Sequence, residues 1–171
     1  MDLTKSEIEF TTHSGLHSLR TEQMLDTPID EAWNFFSNPT NLQELTPKNM
    51  EFNIISNPSP YIYEGQIIIY KIKLLPFVYL NWVTEIKNVS ELRSFVDEQR
   101  YGPYALWHHR HSFEATSKGT KMIDEVYFKI PLAGFNKLLF RFFIKPKLKE
   151  IFTYRRVRVN SIFNELNIQN N

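Results

Sequence analysis

Four hydrophobic patterns follow one another along the chain: an extended segment, two short helices, a series of strands and a long helix. Residues from Ile8 to Thr27 read mainly as one extended segment, with an irregular start around His13 and Gly15. Between Met50 and Ile130, β-branched and aromatic runs alternate with turn residues, which is typical of an antiparallel meander. With the first segment, this predicts a seven-stranded sheet. The six later strands are predicted over Glu51–Ser56, Gly65–Leu74, Tyr79–Asn88, Ser94–Arg100, Ala105–Ala115 and Thr120–Ile130.

Two short helices are predicted between the first and second strands. Thr27 can cap a helix, Pro28 suits its first turn, and the acidic pair Asp30 and Glu31 complements its positive amino end. The second helix is predicted over Asn41–Leu45, ended by Thr46 and Pro47. The first helix is amphipathic, because its apolar residues fall at helical spacing: Ile29, Ala32, Trp33 and Phe36.

After Pro131 the pattern becomes helical, and one apolar stripe continues almost to the end of the chain. Pro146 is expected to break or kink the early part of this long helix. Helices that cover one face of an antiparallel sheet define an α+β fold, and a curved sheet that wraps a helix leaves a cavity between them. The stripe consists of Leu148, Ile151, Phe152, Val159, Ile162, Phe163 and Leu166.

Composition narrows the possible functions. The 171 residues are 42% hydrophobic, enough for a sizeable core, so we treat residues 1–171 as one domain with residues 1–15 as an irregular extension. With a net charge of +1, the chain as a whole lacks the strongly basic character that attracts nucleic acid, so we expect no nucleic-acid partner. The lack of cysteine excludes thiolate chemistry, and no leader or membrane-spanning run is visible, so we expect a cytoplasmic protein.

A set of motifs spread over the chain carries a family resemblance: Thr27-Pro28, Trp33, Phe35, Phe36, Asn38-Pro39-Thr40-Asn41-Leu42, Leu45-Thr46-Pro47, Gly65, Tyr70, Trp82, Phe95-Val96-Asp97-Glu98-Gln99, Gly102-Pro103-Tyr104, Trp107, His109, His111, Phe113 and Tyr154-Arg155-Arg156. In these residues the chain resembles the ligand-binding branch of the START-like (SRPBCC) superfamily, which includes the birch pollen allergen and polyketide cyclases. The resemblance covers about Leu16 to Leu166 and implies a helix-grip fold with an internal pocket for a hydrophobic or amphiphilic ligand, without a tightly held cofactor. It implies no particular ligand.

The densest polar chemistry lies on the strand Ala105–Ala115, whose alternation sends Trp107, His109, His111 and Phe113 to one face. A four-residue loop over Thr116–Gly119 would place His111 opposite Asp124, Trp107 opposite Phe128 and His109 opposite Val126. We therefore predict a contact between His111 and Asp124 on the helix-facing side. This contact either anchors a ligand or belongs to a structural polar network.

A metal site is chemically possible, because two histidines and a carboxylate can bind iron or zinc. The carboxylate would come from Asp124 or from the pair Asp97 and Glu98. Which member of that pair shares the face of Trp107 depends on the parity of the Gly102-Pro103 loop, and the sequence leaves it open. We expect no metal and no cofactor.

An aromatic stripe is expected to line the cavity or to form ordinary core: Tyr70, Trp82, Trp107, Phe113 and Phe128. Three residues near the start of the long helix could close the pocket mouth, although ordinary packing explains them equally: Phe135, Leu139 and Phe143.

The segment from Lys137 to Arg158 carries eight basic residues and one acid, interleaved with aromatic residues. It fits the solvated outer face of a helix, or a basic amphipathic helix in weak contact with an anionic membrane. The oligomeric state is open.

The sequence contains no nucleophile motif and no phosphate-binding glycine loop. Together with the pocket that the resemblance implies, this favours binding of a lipid, quinone, polyketide or isoprenoid over catalysis. The alternative is a cyclase or dehydratase that uses a pocket histidine as general acid or base.

Overall fold

The computed structural model describes residues 8–75, 77–131 and 136–169. It is an α+β fold in which a curved antiparallel sheet of eight strands is covered on one face by a long carboxy-terminal helix, as predicted. The strands are β1 Glu9–His13, β2 Leu16–Leu25, β3 Asn53–Ile54, β4 Ile67–Leu75, β5 Val78–Ser90, β6 Ser94–Tyr101, β7 Leu106–Thr116 and β8 Gly119–Lys129. Their order in the sheet is β1-β2-β8-β7-β6-β5-β4-β3.

The sheet has eight strands where the sequence predicted seven, because the first extended segment folds back on itself. Ser14 and Gly15 both have positive φ, at 50° and 81°, and they connect β1 to β2 with His13 paired to Leu16. Two left-handed residues in a two-residue loop are the geometry of a tight hairpin turn. Residues 9–13 are therefore a strand, and the Ser-Gly dipeptide was the signal for this turn.

The early helices lie where they were predicted, with small shifts in their boundaries. Helix α1 spans Ile29–Phe36 and has Pro28 at its amino cap; the Thr27 hydroxyl instead donates to the Glu31 carboxylate at 2.6 Å. Two 3₁₀ turns follow over Pro39–Gln43 and Lys48–Met50. The Asn38 side chain caps the first turn by accepting from the Thr40 amide.

The carboxy-terminal helical segment changes character at Pro146, as the sequence predicted. Helix α2 (Asn136–Leu139) passes into a π-helical turn over Phe140–Ile144, and α3 then spans Lys145–Gln169. Pro146 has no N–H to donate, so the preceding turn widens instead of continuing as regular helix. Among the described residues, no helix is long and apolar enough to cross a bilayer.

The predicted apolar stripe of α3 faces the sheet. Leu148, Phe152, Val159 and Phe163 are buried, whereas Ile151 and Ile162 are half-buried. The Leu166 side chain lies outside the described residues. Helix α3 and the inner face of the sheet therefore enclose the interior in which the polar residues of β7 lie.

Candidate functional site

The pairing of β7 with β8 places the predicted polar residues together. His111 lies opposite Asp124, Trp107 opposite Phe128 and His109 opposite Val126, which is the predicted register. His109, His111 and Asp124 are all at least 94% buried. They lie on the inner face, because His109 packs on Phe152 of α3.

Asp124 is the centre of this polar cluster. Its Oδ1 atom forms a 2.8 Å hydrogen bond with His109 Nε2. His111 Nδ1 lies 2.9 Å from the same oxygen, which confirms the predicted contact, although it is poorly aligned for a hydrogen bond. Because a carboxylate oxygen only accepts, His109 must carry its proton on Nε2.

Burial and the two imidazoles set the charges in the cluster. Burial alone would raise the pKa of Asp124, but the contacts with His109 and His111 outweigh it and hold that pKa well below its usual value. Burial, followed by the proximity of His111, lowers the pKa of His109 to about 4. At neutral pH the cluster therefore contains an ionised Asp124 beside a neutral His109.

Asp97 is the acidic residue of β6 that joins this face. The pairing of Asp97 with His109 and of Glu98 with His108 answers the parity question that the sequence left open. Asp97 Oδ1 accepts a hydrogen bond from Thr84 Oγ1 at 3.1 Å, and its Oδ2 lies 3.9 Å from His109 Nδ1.

A metal ion is one possible occupant of this cluster. One ligand atom from each of Asp97, His109 and His111 can be chosen so that all three lie within 4.8 Å of one another. Arg155 brings a guanidinium nitrogen to 3.8 Å from Asp124. A permanent cation so close weighs against a second positive charge at this position.

Arg155 is the residue whose position the sequence analysis missed. Its place among the basic residues of the long helix predicts an exposed side chain, yet the Arg155 side chain is 12% exposed and lies over the ring of Phe152. Its Nε and Nη1 atoms are buried without a hydrogen-bond partner. The signal was its spacing, because residue 155 lies between Phe152 and Val159 on the apolar stripe.

A half-open cavity of about 50 Å³ lies beside the cluster. Its polar wall includes Asp97, His111 and Arg155. Most of the remaining wall is aromatic or aliphatic and comes from α1, the first 3₁₀ turn and the sheet. Those residues include Phe35, Phe36, Leu42, Leu45, Ile62, Ile68, Tyr70, Ile86 and Phe95.

The residues predicted to bind a ligand fall into three groups. Tyr70 and His111 line the cavity, with His109 and Asp124 directly behind them. The second group packs as core: Trp82, Trp107 and Phe128 with Tyr104, and Phe113 with Trp33.

The third group comprises the three residues proposed for the pocket mouth. Leu139 is half-buried and Phe143 is 64% exposed, and neither lines the cavity; Phe135 lies outside the described residues.

Comparison with solved structures supports the fold. Protein Ms6760 from Mycobacterium smegmatis superposes with a TM-score of 0.68 at 12% identity, covering 94% of this chain and 98% of that one. Protein NE0264 from Nitrosomonas europaea gives 0.66 at 15% identity, covering 92% and 99%.

A third structural match covers only part of a longer protein. The nucleoside-diphosphate sugar epimerase from Corynebacterium glutamicum gives a TM-score of 0.62 at 21% identity, covering 84% of this chain but 28% of that one. No protein-family profile and no curated protein sequence matches the chain. The structural neighbours support the observed fold, and at these identities the likeness concerns the fold alone.

Proposed function

We propose that the protein binds a small hydrophobic or amphiphilic molecule in the cavity that the sheet, α1 and the first 3₁₀ turn form beside Arg155 of α3. The apolar part of the ligand contacts the wall formed by α1, the first 3₁₀ turn and β4. Its polar end lies against His111 and Arg155. A lipid, quinone, polyketide or isoprenoid has this combination of an apolar body and a few polar atoms.

The observation that carries this proposal is the unsatisfied guanidinium of Arg155 at the cavity wall. Two of its nitrogen atoms are buried without a partner, and leaving a buried donor unpaired costs about 1–3 kcal/mol. Asp124 does not satisfy Arg155, because its Oδ1 is close to both imidazoles and is 3.8 Å from the guanidinium. A ligand oxygen that accepts from Arg155 would remove this cost.

The size of the cavity limits what it holds. About 50 Å³ is far below the roughly 300–1,000 Å³ typical of pockets that enclose a whole ligand. The half-open wall therefore accommodates the polar end of a ligand and the adjoining carbons. A longer apolar tail requires α1 and the 3₁₀ turn to move outward.

Native mass spectrometry beside a solvent-extracted, denatured sample tests this proposal. We expect a discrete added mass that extraction releases. Leu42→Trp should abolish it by filling the cavity, whereas Leu106→Trp, at a residue 43% exposed on β7, should leave it unchanged. If no mass is released, and neither decanoate nor decan-2-one binds in titration, the proposal is wrong.

A second candidate function is acid–base catalysis of the cyclase or dehydratase kind. It is favoured by the position of His111, which lines the cavity and has Asp124 at 2.9 Å behind it. A carboxylate beside an imidazole is a common general acid–base pair, and here a small rotation of the His111 ring would align the two groups. His111→Ala distinguishes the two functions. A carrier should bind its ligand with modestly lower affinity, whereas an enzyme should still bind the ligand but no longer convert it. Mass spectrometry of the ligand detects the conversion.

A further inference from the structure

We propose that the surface formed by α2, the π-helical turn and the first turns of α3 docks on an anionic lipid bilayer. We call it the basic aromatic surface. It comprises Lys137, Leu138, Arg141, Phe142, Phe143, Lys145 and Lys149.

The apolar part of this surface is unusually exposed. Leu138, Phe142 and Phe143 are 58%, 61% and 64% exposed, and they fall within six consecutive residues. The same helical segment packs on the core through other residues, because Phe140 contacts His17 and Phe128, and Leu148 is buried. Three large apolar side chains are therefore exposed to solvent on a segment whose opposite side already packs against the core.

The charge of this surface identifies its partner. From Val126 to Lys149 the sequence contains no acidic residue. Arg141 lies over the ring of Phe142, so at least one cation of this surface lies directly beside an exposed aromatic side chain. Lys145 lies over the ring of Phe10 on the neighbouring strand β1. Aromatic side chains that enter the interfacial region while cations contact lipid phosphates are the arrangement of a peripheral membrane helix.

The structure also shows that only part of the basic segment from Lys137 to Arg158 can belong to this surface. Arg155 is internal, Arg156 donates to Thr21, and Arg158 pairs with Glu44, so these three cations belong to other parts of the molecule. A second copy of the chain is a poorer partner for the surface. A symmetric dimer would bring each cation of this surface against like charges.

Co-sedimentation with lipid vesicles tests the proposal. We expect binding to vesicles of phosphatidylcholine with roughly 30% phosphatidylserine at low salt, and little to phosphatidylcholine alone. About 0.5 M NaCl should weaken the binding at least about tenfold, because salt screens the attraction.

Two sets of variants separate the apolar and ionic parts. The triple change Leu138→Ser, Phe142→Ser and Phe143→Ser, and the double change Arg141→Glu and Lys149→Glu, should each reduce binding at least about tenfold with an unchanged melting temperature. The controls are Val157→Ser, at a residue 65% exposed on α3, and Lys48→Glu with Lys118→Glu. Leu42→Trp, which fills the cavity, should bind vesicles like the native protein, so this test is independent of the proposed ligand.

Three results would overturn this proposal. The first is no vesicle binding by the native protein at low salt. The second is equal binding by native protein and both variant sets. The third is a dimer of the native protein in sedimentation velocity that the triple change dissociates, together with no vesicle binding by the dimer or the monomer. That result would identify a second copy of the chain as the partner of this surface.

Discussion

Two regions of the same interior differ in how completely side chains fill them. In the aromatic region, Trp82, Tyr104, Trp107 and Phe128 pack with ring centroids 4.9–6.0 Å apart. In the cavity region, four residues further along β7, His111 faces an open space that Arg155 and Asp97 also line. Both regions lie on the inner face of the same sheet, although α1 and the first 3₁₀ turn supply much of the cavity wall. How completely each region is filled depends on the side chains that it contains.

Charge explains this difference. Aromatic rings approach one another until no space is left, and their contacts are favourable at that distance. Buried ionised groups need polar partners, and here one carboxylate oxygen is close to two imidazoles while a guanidinium has unmet donors. Closing apolar side chains over such a group would leave it unpaired. The cavity region therefore stays open to a polar atom from outside the chain.

The largest expected effect comes from emptying the aromatic region. Phe128 is fully buried, so Phe128→Ala should lower the free energy of unfolding by about 3–5 kcal/mol in chemical denaturation. Leu42→Ala, in the wall of the existing cavity, should cost about 1 kcal/mol. Equal losses for the two variants would contradict the distinction between a filled and an open region.

Acidification should act on the polar cluster of the cavity region. The pKa of His109 falls from 6.5 to about 4 on folding, so the unfolded chain takes up a proton as the pH falls from 6.5 to 4 while the folded protein does not. The free energy of unfolding should therefore decrease as the pH falls across this range, and His109 should account for at most about 3 kcal/mol of the decrease. The charged or titratable groups around His109 are His111 on β7, Asp124 on β8, Asp97 on β6 and Arg155 on α3.

Denaturant unfolding at several pH values checks this prediction. His109→Gln should reduce the dependence of the free energy of unfolding on pH. His108→Gln, at the neighbouring residue on the outer face of the sheet, should leave that dependence unchanged. A smaller slope should remain in His109→Gln, because burial also lowers the pKa of His17. Identical pH dependence in the native protein and His109→Gln would contradict the assignment of a neutral, buried His109.

The smallest effect on stability is expected for Arg155→Met, although its effect on binding should be large. Replacing a poorly paired buried cation by an apolar side chain of similar length is often neutral, so the free energy of unfolding should change by about 1 kcal/mol or less. Affinity for a ligand with an accepting oxygen should fall at least about tenfold. Arg156→Met, which removes the cation bonded to Thr21, is the matched control in the same titrations; equal loss in both would contradict the role of Arg155.

Much of the fold could be predicted because its signals are local. Alternating patterns gave the later strands to within a few residues, and the loop after Thr116 fixed the register that joins His111 to Asp124. The hairpin at Ser14 and Gly15 was missed because β1 has little apolar alternation: four of its five residues are exposed.

The candidate site could be predicted only in part. His109, His111 and Asp124 follow from strand alternation and one loop length. The inward position of Asp97 depends on whether the loop before β7 has an even or odd number of residues. The inward position of Arg155 follows from its place within the apolar stripe, but the nearby Arg156 and Arg158 make the whole segment read as an exposed basic face. Whether Trp107 and Phe128 line a cavity or fill it depends on side-chain packing in three dimensions, and the spacing of apolar residues along the sequence does not predict that packing.

The most direct test of the open cavity region is an isotope-filtered nuclear Overhauser experiment on the protein with decan-2-one, whose single oxygen can accept from Arg155. We expect contacts from the ligand chain to the methyl groups of Leu42 and Ile68, which line the cavity, and these contacts should weaken in Arg155→Met. We expect none to the methyl groups of Leu19 and Val126, which pack with Trp107 and Phe128 in the aromatic region. Contacts to Leu19 and Val126 in place of Leu42 and Ile68, or no contacts at all at saturating ligand, would contradict an open cavity region.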